Sequence, residues 1–361
     1  MSRMSFGGAA APNDQRLRYE PRLDGLRAVA VSLVIASHSI SRVSGAGGVG
    51  VGMFFVLSGF LITAIIDDER SRTGRVNFRF FYARRALRLY PALVAFVGVF
   101  VFGLFFHYWS APIGRGLGAS VMALTYTTDV FNLVGKGHWT AFELLLTWSL
   151  AVEEQFYLLW PIAYTWLMNR FPSWRARWSV LGAGVLIGAL ARAVLSTQAG
   201  IALTPFNWAD GLLIGCCLGL AYRHGFVVPR RMHPAVLVVA MLPAIRMIFW
   251  VIRPGIDQGA SLLLFFVGVA VWILQCLYHP ARFDILGWRP LVRIGRLSYG
   301  IYLWHSLALA AWKHVMSTNT VGYFLATYAL SLVAAELSYR FVESPFLRRK
   351  ERFSVGEATV V

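Results

Sequence analysis

Residues 49–66 read VGVGMFFVLSGFLITAII, eighteen positions without one charged side chain. As a helix, such a run is about 27 Å long, close to the roughly 30 Å hydrocarbon core of a bilayer. In lipid the backbone must satisfy its own polar groups, so the run is predicted to be a transmembrane helix. Comparable runs recur along the chain, giving candidate spans at 26–43, 49–66, 91–109, 142–167, 178–197, 204–223, 234–252, 260–278, 298–316 and 320–342. The composition agrees: of 361 residues, 57% are hydrophobic and 14% charged, against about 25% charged in soluble domains. Mean hydropathy is +0.59.

The net charge of +17 would suggest nucleic acid in a soluble protein. Here the basic residues lie between apolar runs, and topology accounts for them without a nucleic-acid partner. Segments 1–27, 67–90, 168–178, 222–233, 279–297 and 340–361 hold 27 of the 34 Lys and Arg residues. Positive-inside counting places all six on the cytoplasmic side. An eleventh apolar stretch, 117–134, would break this asymmetry if it crossed, so residues 110–141 are assigned to an outer segment. The expectation is an all-α, polytopic membrane protein, with about ten transmembrane helices and both termini cytoplasmic. Residues 1–20 are a disordered arm, 21–346 the membrane domain, and 347–361 a short cytoplasmic tail.

Ionisable groups inside spans mark functional candidates, because the bilayer makes them costly. Arg27 and His38 bracket RAVAVSLVIASH on the first helix. Eleven residues are about three turns, so both side chains share one stripe, roughly 16 Å apart along the axis. On the fourth span, TWSLAVEEQFYLLWP places Ser149, Glu153 and Tyr157 at i, i+4, i+8 on one face, with Trp148 and Glu154 beside them. A carboxylate next to a neutral imidazole would fix its tautomer and make His38 a general base. The competing view is a packing network of satisfied polar groups.

FYARRALRLYP, 81–91, is taken as a loop ending at a helix start, where Arg84, Arg85 and Arg88 would meet phosphate groups. Membrane orientation and contact with anionic lipid headgroups would use the same residues. The glycine pairs Gly48/Gly52, Gly184/Gly188 and Gly211/Gly215 are read as close helix packing, and 47–60 lacks the dinucleotide fingerprint. Asp210 and Glu336 are expected to pair with Arg192, Arg246 or Arg340. Cys216, Cys217 and Cys276 show no metal-site spacing, and no metal is expected.

Taken in order, RLDGLRAVAVSLVIASH, VGVGMFFVLSGFLIT, FYARRALRLYP, TWSLAVEEQFYLLWP, WADGLLIG, IGRLSYGIYLWH and FVESPF resemble the acyltransferase-3 family of membrane acyltransferases. The resemblance implies O-acyl transfer, acetyl above all, from acyl-CoA to a hydroxyl of a carbohydrate, glycolipid or glycosylated natural product. It puts the family's basic-x10-His motif on Arg27 and His38, its arginine-rich entry on Arg84, Arg85 and Arg88, and its acidic motif on Trp148 to Glu154. In the resulting picture His38 is the base, with Glu153 or Glu154 orienting it. Arg27, Arg84, Arg85 and Arg88 hold the acyl-CoA, whose arm runs along the first helix. Ser58, Trp148, Ser149, Tyr302 and His305 bind the acceptor. A covalent acyl-histidine relay stays open as a variant. With only about eighteen residues after the last span, the chain is expected to be a stand-alone membrane unit. Rival readings are a transporter or flippase with a His/Glu proton relay, and an accessory scaffold. No motif sets the oligomeric state.

Overall fold

The computed structural model describes residues 19–109, 111–130, 141–195, 207–225, 232–249, 256–350 and 353. The expected arm through Arg18 and most of the tail after Lys350 therefore lie outside the described residues, as do Lys136, His138 and Arg253. Every regular element described is helical. The long ones are α1 (Pro21–Ser39), α2 (Ala46–Thr73), α3 (Phe78–Phe105), α4 (Ile113–Leu124), α5 (Trp148–Arg170), α6 (Trp174–Leu195), α7 (Ala209–Arg223), α8 (Pro234–Phe249) and α9 (Ile256–Tyr278). They are followed by α10 (Arg289–Arg296), α11 (Ser298–Lys313), α12 (Val321–Ser338) and α13 (Ser344–Lys350). Single turns at Phe142–Leu145, Pro280–Gly287 and Tyr339–Glu343 connect some of them.

Five helical segments are long and apolar enough to cross a membrane by length and composition: Ala46–Thr73, Phe78–Phe105, Trp174–Leu195, Asp257–Tyr278 and Val321–Arg349. That fits a polytopic all-α membrane protein. The stretch 117–134, weighed as an eleventh span, instead contributes most of α4, only twelve residues long.

Local chemistry sets the helix ends. Glu20 caps α1 by accepting from the Arg22 backbone N–H at 3.2 Å, and Gly74, at φ +75°, supplies the left-handed cap that ends α2. Asn77 caps α3 through the Phe80 N–H at 3.1 Å. That cap corrects the loop expected at 81–91: the helix starts thirteen residues before Pro91, and the proline lies inside it. Arg84, Arg85 and Arg88 consequently project from helical turns.

The centre of the bundle is α2, whose apolar window is 78% buried against 11% for that of α6. Glycine makes this possible. A Cβ on Gly59 would collide with the Leu212 carbonyl of α7, and one on Gly215 with the Val56 carbonyl of α2. Contact between the two backbones replaces side-chain interdigitation at that crossing. Gly211/Gly215 thus packs as expected, whereas Gly48 has only loose contacts.

Two ion pairs brace the interior. Arg192 of α6 is fully buried and forks onto Asp210 of α7 at 2.5 and 2.7 Å, with the Gly259 carbonyl at 3.0 Å. Asp67 of α2 accepts from Tyr164 (2.6 Å) and Arg223 (3.3 Å), joining three helices. Of the partners considered for Asp210 and Glu336, Arg192 takes the first and Arg340 the second, at 2.6 Å, while Arg246 pairs with Asp257.

Candidate active site

His38 sits in the last turn of α1, and its ring stacks on His305 of α11 with centroids 5.3 Å apart. His305 Nε2 lies 3.3 Å from His38 Nδ1, and His305 Nδ1 lies 2.5 Å from the Tyr302 carbonyl oxygen. A carbonyl only accepts, so in the neutral pair His305 carries its proton on Nδ1. Its Nε2 is then an acceptor and His38 Nδ1 must donate to it. The Val34 carbonyl, one turn back on α1, is a second acceptor beside the His38 ring; where Nδ1 serves both, Nε2 is the nitrogen left with a lone pair.

This arrangement corrects the expected partner of His38. Glu153 accepts from Ser58 Oγ at 2.5 Å and Tyr157 Oη at 2.6 Å, and lies 3.6 Å from Arg85. Glu154 takes the Arg85 guanidinium, with Nε and one terminal nitrogen each at 3.2 Å. Both carboxylates are engaged by α2 and α3. The helix that meets α1 at His38 is α11, so the side chain beside His38 is His305 and neither glutamate. Ser149 hydrogen-bonds Tyr302 Oη at 2.6 Å, and that hydroxyl also donates to the Leu146 carbonyl at 2.9 Å. Ser149, Trp148, Tyr302 and His305 are therefore brought toward His38, while Ser58 is brought to Glu153.

The four arginines divide into two pairs. Arg84 is occupied by Glu69 at 2.9 Å and by the Phe353 carbonyl at 2.8 Å, and Arg85 by the glutamates. Arg27 donates only to Ser298 Oγ, at 3.2 Å, and has Phe54 beneath it. Arg88 makes no hydrogen bond or ion pair to a described residue, and it lies within electrostatic range of both Arg27 and Arg85. Asp24, Glu154 and Glu343 also lie within range of Arg88 and offset part of this charge; the positive field that remains attracts an anion.

Val31 and Val34 lie on the stripe between Arg27 and His38, and both are fully buried. Packing against the core closes the route along α1 that the sequence suggested for a substrate arm. At the other end of α1 the structure is open. His38 lines two cavities, one of about 430 Å³ and one of about 730 Å³. The smaller adds Trp109, Arg115, Glu143, Lys313 and His314; the larger adds Arg42, Trp148, Trp208, Met247, Leu262 and Tyr302. Arg115, Glu143, Lys313 and Trp208 escaped the sequence reading, because single residues at span ends carry no periodic signal. Glu143, an acidic residue within the candidate span 142–167, was the one available hint. No group of three metal-binding side chains occurs among the described residues.

The fold and this geometry define a class, polytopic helical membrane proteins with a histidine pair beside two cavities. The family model described as an acyltransferase domain, acyltransferase-3, matches residues 20–340, and the chain belongs to that family. Among its relatives, the peptidoglycan O-acetyltransferase OatA of Listeria monocytogenes is 32% identical over 93% of this chain and 57% of its own length. The putative peptidoglycan O-acetyltransferase YrhL of Bacillus subtilis is 31% identical over 92% and 55%. The O-acetyltransferase OatA of Staphylococcus aureus is 29% identical over 92% and 58%. The chain therefore spans a little over half the length of these relatives. No solved structure matches it.

Proposed function

We propose that the chain is a bacterial inner-membrane O-acyltransferase that moves an acyl group, acetyl first, from acyl-CoA to a saccharide hydroxyl. His38, held against His305 and lining two cavities, is the observation that carries this reading. The relatives named as peptidoglycan O-acetyltransferases support a polymeric or lipid-linked saccharide as acceptor. The distribution of Lys and Arg supports ten crossings with both termini cytoplasmic, with 21–346 as the catalytic unit.

In this scheme Arg27 and Arg88 take the phosphates of acyl-CoA at the cytoplasmic end, because they have charge to spare. Arg84 and Arg85 hold α3 in place through Glu69, Glu153 and Glu154, and complete the positive field. His38 Nε2 removes the proton from the acceptor hydroxyl as its oxygen attacks the thioester carbonyl carbon. The C–S bond breaks, and the departing CoA thiolate takes the proton back from the imidazolium. His305 accepts the His38 Nδ1 proton bond throughout and steadies the transient charge. Delivery of the thioester requires α1 to part from its neighbours along Val31 and Val34, a conformational step of the kind that often limits turnover.

A proton-coupled transporter would favour a continuous relay between the glutamates and His38. The separate bonding of Glu153, Glu154 and His38 lends that reading no support. The test is His38→Ala, folded and membrane-inserted, assayed with labelled acetyl-CoA. Loss of a general base costs about two to four orders of magnitude in rate; transfer near the wild-type rate would remove His38 from the chemistry.

A further inference from the structure

We propose that the smaller cavity beside His38 is the acceptor site and that it selects a saccharide bearing an anionic group, carboxylate or phosphate. The inference rests on acyl transfer at His38 and names the substrate class for that site.

Three side chains carry the argument. Glu143 is 8% exposed, lines this cavity, and makes no hydrogen bond or ion pair to a described residue. Its carboxylate oxygens open onto the cavity and not into sealed core. A sugar satisfies them, because neighbouring hydroxyls can each donate to one of the two. Arg115, at the start of α4, and Lys313, at the end of α11, border the same space and likewise pair with no described residue. Among the described lining residues, two cations against one carboxylate leave an excess of positive charge. Trp109 and Tyr323 add aromatic walls, so ring, hydroxyl and anion each meet a suitable surface.

The larger cavity lacks this pattern. Among its described lining residues Arg42 is the one Lys or Arg, and Trp148, Trp208, Met247 and Leu262 make its walls largely apolar. The smaller cavity also lies about three helical turns from Arg27, at the opposite end of α1. The cations that would hold an anionic acceptor are therefore separate from those proposed for the donor.

The experiment uses membranes of the source cells carrying the full chain, incubated with radiolabelled acetyl-CoA. Base-labile labelled saccharides are then separated by anion exchange. The expected product binds the exchanger. The variant R115E/K313E should lower its yield about tenfold or more while still binding labelled acetyl-CoA, which reports a folded donor end. The charge-conserving R115K/K313R should restore most of the yield, and Glu143→Gln should weaken acceptor use with acetyl-CoA binding unchanged. Labelled esters that elute as neutral species, or a charge-reversed variant with undiminished yield, would overturn the proposal. A wild-type chain that forms no labelled ester removes the acyl-transfer reading itself, a result distinct from either.

Discussion

At the scale of single residues, the site turns on which atom of an imidazole is free. The sequence placed Arg27 and His38 on one stripe but could not say what faces His38, since a helix pattern gives a residue's own face and not its neighbour's. Two glutamates with motif spacing looked like the natural partners. The structure gives them to Ser58, Tyr157 and Arg85, and gives His38 a second histidine. His305→Gln keeps an acceptor oxygen for the His38 Nδ1 proton, whereas His305→Leu removes it. The expected outcome is a kcat near wild type for the glutamine variant and a fall of at least about tenfold for leucine, at similar KM for acetyl-CoA. Equal losses in both variants would mean that His305 only fills space.

At the scale of elements, the packing device is close backbone approach. Gly59 and Gly215 let α2 and α7 cross with carbonyls against Cα atoms. Gly59→Val should therefore destabilise the folded protein by about 1–3 kcal/mol, the usual cost of overpacking, seen as a lower unfolding midpoint in detergent. Gly182 faces open space within 4 Å, and Gly182→Ala should leave that midpoint unchanged or slightly raised. A matching drop in both would mean that the α2–α7 crossing is not what sets the effect. The small-residue pairs were legible in the sequence; which glycine meets which carbonyl was not, because that depends on the crossing point. Pro91 misled the reading of α3 in the other direction, since the cap at Asn77 starts the helix early enough to contain it.

At the scale of the whole molecule, hydropathy and arginine placement carry the most information, because the bilayer admits so few backbone solutions. The all-α class follows from them directly. Sidedness is testable on exposed residues: Val315 is 72% exposed, just past the end of α11, and Ile285 is 73% exposed, just before α10. With the native cysteines replaced, Val315→Cys should react with a membrane-impermeant thiol reagent added to intact cells. Ile285→Cys should react only after permeabilisation. The reverse pattern would invert the topology. The cavities lay beyond the reach of sequence because each is assembled from the ends of several helices.

The fully buried Val31 and Val34 have an electrical meaning as well. A catalyst that draws a substrate from one face and works near the other risks shunting protons down the membrane potential. Here the two polar ends of α1 are divided by a plug of hydrocarbon, and His38 is paired with a second imidazole and not with a carboxylate. Charge would arise on His38 only while an acyl group is moving. In the proposed scheme that plug would insulate one face from the other between turnovers.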